Sequence, residues 1–191
     1  MDYKGDIHYI EQILAGNSIA FSHLVDRHKD KAYNLAFRIC GNHEEAEELA
    51  QDSFLKAYRS LKSFKMKSSF ATWLYRIVYN TTISYVRIKK KGVLSLEDFP
   101  ADATDFIGRN TSEEEAEKEY RSSLVNFALQ KINEEERGLI SLYYYEEMST
   151  EEISDVTGIS KSNIKVKLFR ARQKMFEIIE KVEKKKLIYH E

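Results

Sequence analysis

Cysteine, proline and glycine are scarce in this chain: among 191 residues there are one Cys, one Pro and seven Gly. The single cysteine, Cys40, excludes an intrachain disulfide framework and a cysteine-based metal site, so we expect it to be a small core residue. No apolar run is long enough to span a membrane, and the mixed polar start, Met1 to Ile10, is unlike a secretory signal peptide. These absences predict a protein of the reducing cytoplasm, without membrane insertion.

Acidic residues are absent between Ser53 and Leu96, although they make up 31 of the 191 residues. The same stretch holds ten Lys or Arg residues and eight aromatic rings. Cationic side chains interleaved with aromatic rings are suited to binding single-stranded nucleic acid, because the cations contact the backbone phosphates and the rings stack on unpaired bases. A basic helix pair with an aromatic core would have the same composition, so composition alone leaves both readings open.

Charge is unevenly distributed although the formal net charge is only -1. Residues 92–119 carry nine acids against two bases, and residues 156–176 carry six bases and no acid. Two basic blocks separated by an acidic one indicate two nucleic-acid contacts joined by a connector.

Apolar residues recur at helical spacing almost everywhere, and no segment alternates like a strand. The spacing fades between Gly92 and about Thr111, a segment that contains Pro100 and many acids. We therefore predict an all-α fold with two small helical domains, 1–91 and 113–191, joined by an acidic flexible linker, 92–112.

The segment from Ser149 to Met175 has the pattern of a helix-turn-helix. A capping box begins a short helix, Gly158 can take the left-handed conformation that ends it, and Ser160 caps a second helix. Apolar residues of the second helix are spaced four, three and four apart and should face inward: Ile164, Leu168, Ala171 and Met175. Its basic outer surface could be an ordinary solvated face, but beside so short a turn it favours insertion into a DNA major groove.

A second cluster is acidic and lies on the helix that Asn42 should cap. Its members are Glu44, Glu45, Glu47, Glu48 and Asp52. They are either helix-start acids favoured by the dipole or a docking surface for a basic partner. A metal site using His43 and Glu47 would need a second His-carboxylate set, which the sequence lacks. We find no phosphate loop, nucleophile elbow or HExxH motif, so we expect neither an enzyme nor a cofactor or metal.

The order of these segments resembles the extracytoplasmic-function (ECF) class of bacterial RNA polymerase sigma factors, in the sigma-70 family. NHEEAEELAQDSFLKAYRSL is similar to their core-binding segment, FKMKSSFATWLYRIVYNTTISYVRIKKK to their promoter-melting and minus-ten segment, and INEEERGLISLYYYEEMSTEEISDVTGISKSNIKVKLFRARQKM to their minus-thirty-five domain. The family often has Gly and an acid where this chain has Lys65, Met66 and Lys67, and an acid where it has Ser84, so its base preference stays open.

The resemblance implies three groups of site residues. Those that contact core polymerase would be Glu48, Leu49, Gln51, Asp52 and Phe54. Those at the minus-ten DNA would be Phe64, Lys65, Lys67, Ser68, Ser69, Trp73, Tyr75, Arg76, Asn80, Tyr85 and Arg87. Those at the minus-thirty-five DNA would be Ser160, Lys161, Ser162, Asn163, Lys165, Lys167, Arg170 and Arg172.

The resemblance also implies the partners and the function. Core RNA polymerase would bind through its β′ clamp helices and β flap, the protein would direct promoter recognition and melting, and an anti-sigma factor would hold it inactive, often near the membrane. Two alternatives from the residues themselves remain: a helix-turn-helix regulator that binds duplex DNA without polymerase, and a helical metalloenzyme that uses the acidic cluster.

Overall fold

A computed structural model of the chain describes residues 3–92 and 113–188, and these two ranges contain helices and turns but no strand. The helices are α1 (Tyr3–Leu14), α2 (Phe21–Cys40), α3 (His43–Ser60), α4 (Phe70–Gly92), α5 (Glu113–Lys131), α6 (Glu134–Ile140), α7 (Thr150–Thr157) and α8 (Lys161–Ile188). A π-helical turn, Ser141–Tyr145, continues α6. The all-α prediction is confirmed; the predicted linker lies, except for Gly92, outside the described residues.

The helix ends follow the capping signals of the sequence. The side chain of Asn42 accepts a hydrogen bond from the Glu45 amide at 3.0 Å and begins α3. Full capping boxes join Asn133 with Glu136 and Ser149 with Glu152 at the starts of α6 and α7. Each box satisfies two amide groups that the helix itself cannot pair.

The N-terminal half, residues 3–92, is built around α2, α3 and α4, which pack on one another. Buried Leu35, Ile39 and Leu74 lie in their shared core. His28 is also buried, and its Nε2 lies 3.0 Å from Asp6 Oδ2 of α1. Burial lowers the pKa of the His28 ring, although the Asp6 carboxylate acts in the opposite direction.

The C-terminal half, residues 113–188, is held together by α8, which packs on α5, α6 and α7. The four apolar residues of α8 predicted to face inward are all buried. Gly158 ends α7 with φ +75° and turns the chain toward α8. The predicted helix-turn-helix is confirmed.

The two halves pack on each other: α7 lies against α4, and α6 lies against α2 and α4. Gly138 of α6 makes a close approach, since a Cβ atom there would lie 2.6 Å from Cε2 of Tyr79 and 3.5 Å from Cδ1 of Ile39. Beside it, Arg137 donates from Nη1 to the Ile39 carbonyl at 3.0 Å and to Gln130 Oε1 at 2.9 Å. We call this packing the closed arrangement; hydrophobic periodicity along the chain did not predict it.

Candidate nucleic-acid and protein interfaces

The outer face of α3 presents an apolar side chain among polar ones. Glu48, Gln51 and Asp52 are exposed, and Leu55 is 53% exposed beside them. Helical spacing places all four on one side, because they lie three or four residues apart. Leu55 was not singled out from the sequence, although its position one turn after Asp52 is a usable signal.

Two other α3 residues of the predicted core-contact group lie underneath this face. Leu49 and Phe54 are buried, and the Phe54 ring meets Phe21 of α2 edge-on with centroids 6.4 Å apart. They anchor α3 to the core, so they fix the orientation of the exposed face and do not form it.

The loop between α3 and α4 is held at both ends. Phe64 is buried against Trp73, with ring centroids 5.1 Å apart. Ser69 Oγ accepts a hydrogen bond from the Thr72 amide at 3.0 Å at the start of α4. Between them, Met66 has φ +54°, a left-handed conformation that is unusual for a residue with a side chain. A loop with fixed ends and a strained centre presents its exposed lysines, Lys65 and Lys67, in a defined place.

A shallow groove of about 330 Å³ runs between the ends of α3 and α4. Its lining comprises Lys56, Ser60, Ser63, Trp73, Arg76, Ile77, Asn80 and Thr81. Lys56 donates to Thr81 Oγ1 at 3.1 Å, which directs its ammonium group toward the groove wall. The sequence interpretation included Trp73, Arg76 and Asn80 but missed Lys56. A ring, two cations and an amide in one groove can stack on a base and contact its phosphate.

The remaining predicted minus-ten residues differ in their exposure to solvent. Arg87 is exposed, and Ser68 and Tyr85 are half-buried. Tyr75 is only 3% exposed and points into the closed arrangement, where its hydroxyl donates to Glu146 of the C-terminal half. Burial and this carboxylate raise the pKa of the Tyr75 phenol well above its ordinary value, so the hydroxyl keeps its proton.

Glu146 contacts several residues of the N-terminal half. Its side chain is 4% exposed and lies 3.5 Å from Lys31 Nζ and 3.8 Å from Arg38 Nη1. The guanidinium of Arg38 also lies over the Tyr145 ring, 3.8 Å from its centroid. The phenol supplies a hydrogen bond to this buried carboxylate, and the two cations lie at ion-pair distance, which partly offsets its lost hydration.

The outer surface of the helix-turn-helix is polar and basic. Ser160, Ser162, Asn163, Lys165 and Arg170 are exposed near or along the start of α8. The other three predicted minus-thirty-five residues have partners: Lys161 pairs with Glu151, Lys167 with Glu135, and Arg172 donates to the Tyr144 hydroxyl. Ser160, Ser162, Asn163 and Lys165 lie at the N-terminal end of α8, which is the end that enters a groove in this motif, and the Ser160 and Ser162 hydroxyls lie 3.3 Å apart.

Neither a metal centre nor a membrane span is formed by the part of the chain that the structure describes. No three His, Cys, Asp or Glu side chains come together there as ligands. His43 instead contacts the Tyr33 hydroxyl through Nδ1 at 2.5 Å and stacks on Phe37. No described helix is both long and apolar enough to cross a bilayer.

Two family models match the chain in the order of these surfaces. Residues 24–92 match Sigma-70 region 2, and residues 124–175 match Sigma-70, region 4. The "ECF RNA polymerase sigma factor SigW" of Bacillus subtilis (strain 168) is 32% identical over 176 residues, which cover 86% of this chain and 91% of that protein.

Two solved structures have a similar fold. CnrH, in complex with the cytosolic domain of CnrY, aligns with a TM-score of 0.64 and 24% identity over 90% of this chain and 95% of CnrH. The sigma factor RpoE of Bartonella quintana, in a co-crystal with the anti-sigma factor NepR, aligns with a TM-score of 0.64 and 22% identity over 84% of this chain and 96% of RpoE.

Proposed function

We propose that three separate surfaces of this chain bind core RNA polymerase, the minus-ten strand and the minus-thirty-five element. The chain belongs to the extracytoplasmic-function sigma factors of the sigma-70 family, which are non-enzymatic factors that bind core RNA polymerase and direct it to promoters. The observation that carries the division is the coincidence of each matched region with a distinct surface: region 2 with the α3 face and the groove, and region 4 with the helix-turn-helix. The corresponding units are 1–91 and 113–191, joined by the linker 92–112.

The exposed face of α3 is the contact for the β′ clamp helices of polymerase. Glu48, Gln51 and Asp52 lie on the N-terminal side of exposed Leu55, so an apolar contact there would be bordered on that side by acids and an amide. Protein interfaces commonly have this arrangement of an apolar centre and a polar rim. The acids would attract a basic partner and set its orientation.

The loop and groove beside α4 hold the melted minus-ten strand. A base can enter such a groove only after it leaves the DNA stack, which costs a few kcal/mol. Trp73 is half-buried at the groove and can stack on that base, while Lys56 and Arg76 supply charge for the phosphates. Tyr75 can take part only if the closed arrangement opens, because its hydroxyl is occupied by Glu146.

The N-terminal end of α8 reads the minus-thirty-five element in the major groove. Lys165 and Arg170 are exposed, whereas Ile164 and Leu168 of the same helix are buried. Lys165 lies closer to the helix start and would contact base edges or the nearest phosphate, whereas Arg170 would contact phosphate. The β flap of polymerase is the further protein contact of this half.

Regulation by an anti-sigma factor also fits this family. Two structural neighbours are complexes, one of CnrH with the cytosolic domain of CnrY and one of RpoE with the anti-sigma factor NepR. We extend this kind of partner to the present chain, which would then act in the cytoplasm and be released there, near the membrane if its inhibitor is anchored in it.

Run-off transcription with core polymerase on genomic fragments tests the function, with Asp52→Lys as the matched variant. We expect discrete transcripts with the wild-type chain and few with the variant. Duplex binding with no polymerase-dependent transcript would instead favour a helix-turn-helix regulator that acts alone.

A further inference from the structure

The first turn of α6 pairs with cations from both halves of the chain. Glu134 accepts a hydrogen bond from Lys90 Nζ of α4 at 2.5 Å. Glu135 lies 3.5 Å from Arg87 Nη2 of α4 through Oε2 and 2.5 Å from Lys167 Nζ of α8 through Oε1. One carboxylate is therefore shared by a residue of the basic block beside the minus-ten groove and a residue of the helix-turn-helix.

Helix capping does not explain these pairs. The capping box at the start of α6 uses Asn133 and Glu136, and Glu136 also pairs with Lys174 at 2.5 Å. Glu134 and Glu135 are not needed for that box. The helix dipole favours acids at this end by a fraction of a kcal/mol each, but it does not determine which cations they meet.

Arg87 and Lys167 cannot serve both promoter elements in the closed arrangement. Positions minus thirty-five and minus ten differ by about 25 base pairs, which corresponds to about 85 Å of duplex at ~3.4 Å per base pair. Both cations here contact one carboxylate. Binding of a promoter by both halves therefore requires that they separate and that Glu135 lose at least one partner.

We propose that the acidic first turn of α6 is an intramolecular substitute for promoter phosphate, which holds the free chain closed and weakens its binding to DNA. The inference rests on the proposed function, because it takes Arg87 and Lys167, together with Lys90 of the same basic block as Arg87, as DNA contacts. Carboxylate and phosphate accept from the same ammonium and guanidinium donors, so one must displace the other. Burial opposes ionisation of Glu134, but the hydrogen bond from Lys90 and the nearby Arg137 charge lower its pKa, and it is fully charged at neutral pH.

The test is the double variant Glu134→Gln/Glu135→Gln in the full chain without polymerase. Binding is measured by fluorescence anisotropy on a mixed-sequence duplex and a mixed-sequence single strand at several salt concentrations, because phosphate contacts are independent of sequence. We expect binding to both probes to tighten about three- to tenfold, the range that a few partly exposed ion pairs can supply. The salt slope should steepen by about 0.9 on the duplex as Lys167 is freed, and by about 1.4 on the single strand as Arg87 and Lys90 are freed.

The matched control is Glu177→Gln/Glu183→Gln, which removes two charges from exposed positions of α8. If the control tightens binding as much as the test variant, net charge explains the effect and the proposal is wrong. Unchanged affinity of the test variant, with cooperative melting and normal helicity, also overturns it.

A second variant removes the cations of α4 that pair with Glu134 and Glu135, so it breaks the same ion pairs but lowers the net charge of the chain instead of raising it. Arg87→Gln/Lys90→Gln and Glu134→Gln/Glu135→Gln should each increase the radius of gyration of the free chain in solution scattering. Unchanged radii in both variants would overturn the proposal. If the wild-type chain supports no run-off transcription, the proposed function is wrong. If run-off transcription is normal but the test variant and its matched control bind DNA with equal affinity, only this inference is wrong.

Discussion

Substitution of Gly138 by alanine should open the closed arrangement without altering any charge. The new Cβ atom would lie 2.6 Å from Cε2 and 3.1 Å from Cδ2 of Tyr79. The Tyr79 ring is 4% exposed, so it has little room to move aside. Either the ring leaves its position or α6 moves away from α4, and both outcomes weaken the contact between the halves.

Of the two effects of the substitution, only overpacking changes the equilibrium between the closed and the open chain. Overpacking of a well-filled contact costs about 1 to 3 kcal/mol. Alanine favours an α-helix over glycine by about 1 kcal/mol, but α6 is helical in the open and closed chain alike, so this gain cancels from the equilibrium between them. The closed population should therefore fall about 5- to 150-fold relative to the open one, while the C-terminal half itself becomes slightly more stable.

Solution scattering and a double-mutant cycle measure this effect. A compact chain of this length has a radius of gyration of about 16 Å, and Gly138→Ala should increase it. Tyr79→Leu removes the ring atoms that the new methyl group meets, so the alanine should cost much less in that background. A wild-type radius for Gly138→Ala, or equal cost of the alanine with and without the tyrosine ring, would refute the reasoning.

Three further predictions concern single side chains. Asp52→Lys should weaken binding to core polymerase by about 2 to 5 kcal/mol in a titration, because it places a cation against a basic partner, whereas Glu177→Lys on α8 should not. Lys165→Ala should relax specificity at one upstream position for about 1 to 3 kcal/mol, whereas Arg170→Ala should lower affinity evenly and flatten the salt slope; a promoter panel at several salt concentrations separates them. The lowered pKa of His28 means that the unfolded chain takes up a proton first as the pH falls below about 6.5. The free energy of unfolding should therefore increase with pH in that window, and His28→Gln should flatten the slope in denaturant titrations; an unchanged slope would contradict the assignment.

Local features of this fold were predictable because their causes lie within a few residues. Asn133 and Ser149 cap helices with partners three positions away, and Gly158 ends a helix through its own backbone freedom. The inward face of α8 follows from the spacing of its apolar residues. Tyr75 shows the limit: it was interpreted as a ring for the open strand, but its hydroxyl meets Glu146, 71 positions away. Periodicity indicates which side of a helix is buried, but it does not identify the distant residue that covers it.

The absence of acids from Ser53 to Leu96 also has a consequence in the folded chain. On an ordinary helix, a lysine or arginine finds a carboxylate three or four residues away. The basic end of α4 has no such neighbour, and its ion pairs reach other helices: Lys89 pairs with Glu45 of α3, and Arg87 and Lys90 pair with α6. Two of these three pairs cross between the halves, so they break when the halves separate. Because no local carboxylate takes their place, opening leaves these cations free for phosphate, and the same gap in acidic residues that favours nucleic-acid binding makes that binding depend on the position of the C-terminal half.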